Sequence, residues 1–141
     1  MRVKREMAIH SVEDLCESTK SHITDVQDAM YFFTELMDLS SAKHDHTKLK
    51  TMDEFYEFLG SGFKGDWFKK HRAAERHHIN IVDGVRDDVN LIDVLEHISD
   101  SVMAGTVRSG FVYDLKLSDE LLQKAFQNTV ALLKKNVEII E

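Results

Sequence analysis

A chain of 141 residues that contains no proline is unusual, because an average usage of ~5% would place about seven. Proline removes a backbone donor and clashes with the preceding helical turn. Its absence therefore permits long unbroken helices anywhere in the chain, and the apolar pattern follows suit. From about Lys20 to Leu39, His22, Val26, Ala29, Phe33 and Leu36 recur at helical spacing as one inward stripe, with Asp25, Asp28 and Glu35 off it. Ser40 and Ser41 loosen that pattern. Thr51 with Glu54 then reads as a capping box ahead of Phe55, Phe58 and Leu59, in a helix ended by Gly60, Ser61 and Gly62. A helix from about Asp66 to His78 would align Trp67, His71, Ala74 and His78 on one face. A loop with Asp83-Gly84, in form a tight turn, leads to a helix from Asn90 to about Val107 with Leu91, Leu95, Ile98 and Val102 as its stripe. Ser118 is a natural N-cap for a last helix reaching about Ile140. Its apolar face, centred on Leu121, Leu122, Ala125 and Phe126, is either core or a dimer contact. The expected fold is an all-α, single-domain bundle of five to six helices over residues 1–141.

Composition narrows the function classes. Hydrophobic residues at 43% and charged residues at 30% exclude a disordered or fibrous chain. No apolar run approaches the roughly 20 residues of a bilayer span, and the basic start, Met1 to Glu6, has no apolar stretch after it that would read as a signal peptide. The single cysteine, Cys16, cannot form an internal bridge; it reads as a packed thiol in a reducing, cytoplasmic setting. A net charge of −7 argues against nucleic-acid or anionic-membrane partners. Gly60-Ser61-Gly62-Phe63-Lys64-Gly65 matches a dinucleotide fingerprint literally, but a capped helix precedes it where a buried strand is required, so it reads as a loop. Charge is also segregated: a basic stretch from Lys64 to Arg76 precedes an acidic one from Asp83 to Asp100.

Eight histidines, unevenly placed, carry the chemistry. Imidazole and carboxylate are good ligands for Mn, Fe, Co, Ni or Zn, and adjacent His44-Asp45 at a helix end can both reach one ion, with His22 as a third ligand. A core histidine with one hydrogen-bond partner is the plainer account of His22. In the second group, His71, Glu75 and His78 lie a turn apart in sequence and can bracket an ion. As helical residues, His71 and His78 would stand on the order of 10 Å apart, too far to share an ion without Glu75 or a bridging ligand. His77 would point aside into solvent. The third group, Asp93, Glu96, His97 and Asp100, shares a face opposite the apolar stripe. That face is either solvated or turned inward, with Glu96 and Asp100 the favoured inward pair.

A helical histidine, His-Asp some twenty residues on, and a later helical aspartate, here His22, His44-Asp45 and Asp100, resemble the HD superfamily of metal-dependent phosphohydrolases. Lys48 sits where many HD proteins read His-Asp-x-x-Lys. The resemblance covers an HD-like core of about residues 20–110 and leaves the C-terminal helix, about 118–140, outside. The chain is more closely similar to a family of short helical proteins from bacteria and phages. Their pattern is His-Asp-x-[Ser/Thr]-Lys, then Trp-x-x-x-His with a His-His pair following, then Glu-x-x-x-Asp; here it reads His44 to Lys48, Trp67 with His71, His77-His78, and Glu96 with Asp100.

The resemblance implies a divalent transition-metal cofactor of one or two ions. His22, His44, Asp45 and Asp100 would hold the first, with His71, His78 and Glu75 as ligands of a second. A metal so held activates a water and offsets charge on a phosphoryl group. Lys48, Lys70 and Arg72 are the candidate phosphate-binding cations, and Glu96 is the candidate general base or partner to a ligating histidine. The expected activity is hydrolysis of a small phosphate ester, in the first place a nucleotide, by a cytoplasmic protein for which a homodimer is one expected state. A non-catalytic helical protein that binds metal or a host partner is the alternative, and an HD-type di-iron oxygenase is a third reading. A His22 or an Asp100 lying far from His44-Asp45 would remove the four-ligand set on which the enzymatic reading stands.

Overall fold

The computed structural model describes residues 1–5, 8–79 and 84–140. It is all-α apart from one small pair of strands. A 32-residue helix, α1 (Val12–Lys43), is followed by α2 (His46–Lys50), α3 (Met52–Gly60), α4 (Trp67–Ala74), α5 (Leu91–Ser109) and α6 (Asp119–Lys135). Strands β1 (Arg2–Lys4) and β2 (Glu138–Ile140) pair in parallel, Val3 opposite Ile139, and tie the two ends of the chain together. The strand pair corrects the expectation that the last helix runs to Ile140; it stops at Lys135.

Local chemistry explains most boundaries. Ser11 caps α1 by accepting from the Asp14 N–H, and no proline interrupts the helix until His44. Asn90 and Asp93 form a reciprocal capping box at the start of α5, and Ser118 caps α6 as expected. Gly110, at φ 67°, ends α5 in the left-handed conformation that glycine adopts without steric cost. The capping box expected of Thr51 and Glu54 does not form. The Thr51 hydroxyl instead donates to the Thr47 carbonyl and accepts from the Trp67 indole N–H at 2.8 Å. Asp83 of the expected turn lies outside the described residues.

Two packed regions hold the site between them. Ile79, Val89, Val94 and Ala125 form a small core joining the segment after α4 to α5 and α6. An aromatic cluster joins α3 to α4: Trp67 stacks on Phe55 at 4.4 Å and lies 5.6 Å from Phe58. Helix α1 has no buried residue along its length. Of its expected inward stripe, Ala29, Phe33 and Leu36 are half-buried, whereas His22 and Val26 are exposed. Cys16, expected to be packed, is exposed too.

Candidate metal centre

The site begins where α1 ends. His44 is the C-cap of α1, and Asp45 follows in the left-handed region at φ 53°. An L-residue with a Cβ pays roughly 1–2 kcal/mol there, least for Asp and Asn. That bend starts α2 at once and lets neighbouring side chains turn to the same side. Helix α4 brings His71, which Trp67 fixes by stacking at 5.0 Å and an interplanar angle of 10°.

Helix α4 stops at Ala74, four residues short of the expected end, and Glu75 is extended with ψ 126°. The cause is tertiary. Arg76 is captured by the N-terminus of α5, its Nε and Nη2 donating to Asp93 at 2.7 and 2.8 Å and its Nη1 to Asp88 at 2.9 Å. Bidentate pairing with buried Asp93 outweighs the last helical hydrogen bonds. The unwound segment folds His77 and His78 back over His71, and their separation is the reverse of the expectation: His71 Nε2 and His78 Nε2 lie 3.0 Å apart. His77, expected in solvent, is 1% exposed.

Hydrogen bonds fix the tautomers that the neutral rings adopt. His44 Nδ1 and His77 Nδ1 lie 2.9 and 3.0 Å from Glu96 Oε1. A carboxylate only accepts, so both imidazoles carry a proton on Nδ1, and Nε2 is the bare nitrogen of each neutral ring. The Thr47 hydroxyl donates to Glu75 Oε1 at 2.6 Å, so it can only accept from His71 Nδ1 at 2.6 Å. His71 Nε2 is bare as well. These nitrogens surround Asp45: His71 Nε2 is 3.4 Å and His77 Nε2 is 3.7 Å from Oδ1, and His44 Nε2 is 3.6 Å from Oδ2. His44 Nε2 is also 3.5 Å from Asp100 Oδ1. Among the described residues, two sets can hold a cation, Asp45 with His71, His77 and His78, and His44 with His77 and Asp100.

The electrostatics agree with that geometry. Burial pushes His78 down to about 3, helped by the neighbouring His77 and His71, so its ring is neutral at ordinary pH. Burial and the Lys48 charge also lower His71. Burial opposes ionisation of Glu96, yet hydrogen bonds from His77, Ser40 and His44 hold it at about 2. Burial works against charge on Asp45 as well, and the Lys48 ammonium, hydrogen-bonded to Oδ2, outweighs it and lowers the carboxyl. For His77 burial is again the largest influence, outweighed by Glu96, Asp100 and Asp45, which raise it. Asp45 Oδ1 is buried and accepts no hydrogen bond. A buried carboxylate oxygen without a donor costs several kcal/mol, and bare imidazole nitrogens face it. A cation resolves that conflict. The residues fit one: with metal–nitrogen bonds of ~2.1 Å, two cis imidazoles at a right angle stand ~3 Å apart.

Not every expected residue joins. His22 and His44 are carried by the same straight helix, so the 22 residues between them span roughly 33 Å. His22 lines a separate groove with Lys4, Arg5 and Asp14, and the four-ligand set with His22 does not form. Glu75 is buried, but its Oε1 is taken by the Thr47 N–H and hydroxyl, so it stands behind His71 and not on the ion. Glu96 accepts from Ser40, His44 and His77, which matches the expected role of partner to a histidine: it positions His44 and His77. Lys70 is exposed on α4, and Arg72 lies over the Phe68 ring at 5.0 Å. Lys48, by contrast, contacts the cluster directly.

Sequence reasoning gave no site role to His77, Thr47, Ser40 or His97. The first two were visible as the His-His pair and the Thr of His-Asp-x-Thr-Lys. Ser40 donates to Glu96 and has no local signal; buried His97, which shares the polar face of Asp93, Glu96 and Asp100, donates from Nδ1 to the His77 carbonyl at 3.1 Å. Beside the cluster, between the end of α1 and α5, lies a cavity of about 640 Å³. His44, Glu96 and Asp100 form its polar end, and Met37, Leu95, Met103 and Val107 its apolar walls, with Arg108 among its lining residues. Compared with protein-family models, curated proteins and solved structures, the chain matches none.

Proposed function

We propose that Asp45, His71, His77 and His78 hold one divalent transition metal, and that the protein is a metal-dependent hydrolase of a small phosphate ester, in the first place a nucleotide. The observation that carries the metal is the convergence of Asp45, His71, His77 and His78, whose ligand atoms all lie within 4.8 Å of one another, with the Nδ1 atoms of His71 and His77 engaged from behind by Thr47 and Glu96. Metal-ligating histidines are held in this manner by outer hydrogen-bond partners. The four-ligand HD pattern contributes less than expected, because His22 is absent from the cluster; the proposal rests on the cluster itself.

One ion is preferred to two. His77 has a single bare nitrogen to give, and the Lys48 ammonium already brings to Asp45 Oδ2 the positive charge that a second ion would supply. A bound divalent ion supplies Lewis-acid polarisation of a phosphoryl oxygen and an acidified water. The chain's residues do the rest. Lys48 binds a phosphate oxygen at the edge of the cluster, His44 and Asp100 form the polar end of the cavity, and its walls hold the organic part of the ester. The cavity's volume falls within the roughly 300–1,000 Å³ of small-molecule sites.

Release of phosphate from a nucleotide panel with added Mn or Co tests the reaction. Turnover that disappears in Asp45→Ala and drops sharply in Lys48→Ala supports it. Stoichiometric metal with no turnover on any phosphate ester overturns the hydrolase and leaves the metal centre. Two irons with a visible absorption band replace the hydrolase with the oxygenase reading.

A further inference from the structure

We infer that α1 is an interface helix, and that a second copy of this chain packs along its apolar seam. This inference is independent of the metal. Ile23, Val26, Met30, Phe33 and Met37 follow one another at alternating steps of three and four residues, and the same rhythm extends back to Val12. That is the heptad spacing of a helix that packs against another helix along its length. Yet Ile23, Val26, Met30 and Met37 are between 40% and 61% exposed, and α1 contains no buried residue. A 32-residue helix does not earn its place in a fold by propensity alone.

The area argument says what covers the seam. The chain exposes 10756 Å². A folded monomer of 16.3 kDa is expected to expose roughly 7,500 Å², which leaves an excess of about 3,000 Å². Obligate homodimers bury ~2,000–5,000 Å² in all, which is roughly 1,000–2,500 Å² from each chain, so one copy covering another removes a large share of this excess. Helix α5 adds to the same need, because Leu95, Ile98, Met103 and Val107 are exposed. Met37 belongs both to the seam and to the cavity wall beside the candidate metal centre. Pairing along α1 therefore covers Ile23, Val26, Met30 and Met37 and reaches the edge of that cavity at Met37. Homodimers are overwhelmingly two-fold and self-complementary, as a seam repeated on both copies requires.

Light scattering on the purified full chain, from low to high micromolar concentration, tests this. The expected mass is twice that of one chain. Val26→Asp and Met30→Lys, both at exposed positions, are expected to give single chains with unchanged far-ultraviolet circular dichroism. Tyr56→Lys, exposed on α3 and off the seam, is expected to keep the dimer. A single-chain mass at every concentration overturns the inference. So does a dimer indifferent to both seam variants, or a seam variant that loses its helix content instead of its partner.

Discussion

Asp45 is held against three preferences at once: it is bent into the left-handed region, its Oδ1 is buried without a donor, and its charge is opposed by burial. Residues held this way cluster at functional sites, and the imidazoles around it supply the reason. Thr47 is as telling, because its hydroxyl fixes the His71 tautomer. Thr47→Val keeps the shape and removes that hydroxyl, and metal affinity is expected to fall by about 10- to 100-fold, read by calorimetric titration with Zn or Mn. An unchanged affinity would mean that His71 is not a ligand. The protonation of His77 gives a pH prediction. Its pKa is raised above 6.5, and an imidazole must lose its proton to bind metal. Affinity therefore weakens as pH falls through that raised value and strengthens above it, with proton release on binding near neutrality. His78, at about 3, adds no proton in that range. Titrations in two buffers of different ionisation enthalpy count the protons, and binding without proton release contradicts the assignment.

At the level of elements, helices were readable where local signals agree. Caps at Asn90 and Ser118 and the glycines after Leu59 set boundaries that tertiary contacts do not disturb. The end of α4 was not readable. Ala73-Ala74-Glu75-Arg76 contains no helix breaker, and the helix ends because Asp93, Asp88 and Thr47 pull Arg76 and Glu75 away. That single override turned the expected arrangement of His71, His77 and His78 inside out. Arg76 is thus the strap that sets the site. Arg76→Ala leaves the Asp93 carboxylate buried without its partner, and removing one member of such a pair is expected to cost about 1–3 kcal/mol. A lower melting temperature and a loss of metal affinity should appear together. Lost affinity at full stability, or the reverse, would separate the strap from the site. The face of α5 was misjudged for a related reason. Leu95 and Ile98 read as its inward stripe, yet both are exposed, while Asp93 and His97 are buried. A helix with its polar face buried and its apolar face exposed looks, in sequence, like an ordinary amphipathic helix.

For the whole molecule, the all-α class followed from the missing proline and the periodicity, and no described helix is long and apolar enough to cross a membrane. The strand pair β1–β2 lacked a signal, since three-residue strands joining distant ends carry almost no local pattern. An ion bound at the proposed site would tie α2, α4 and the Glu75–Ile79 segment together, and binding only to the folded state would stabilise it by mass action. A raised melting temperature with added Zn or Mn, reversed by a chelator, is the expected result. The most direct measurement is elemental analysis of protein purified without an affinity tag, beside Asp45→Asn and His78→Ala prepared identically. One equivalent of a transition metal per chain, lost in both variants while their helix content persists, is predicted. Metal-free protein that takes up no added ion, or variants that hold metal as well as the parent chain, would contradict the metal centre.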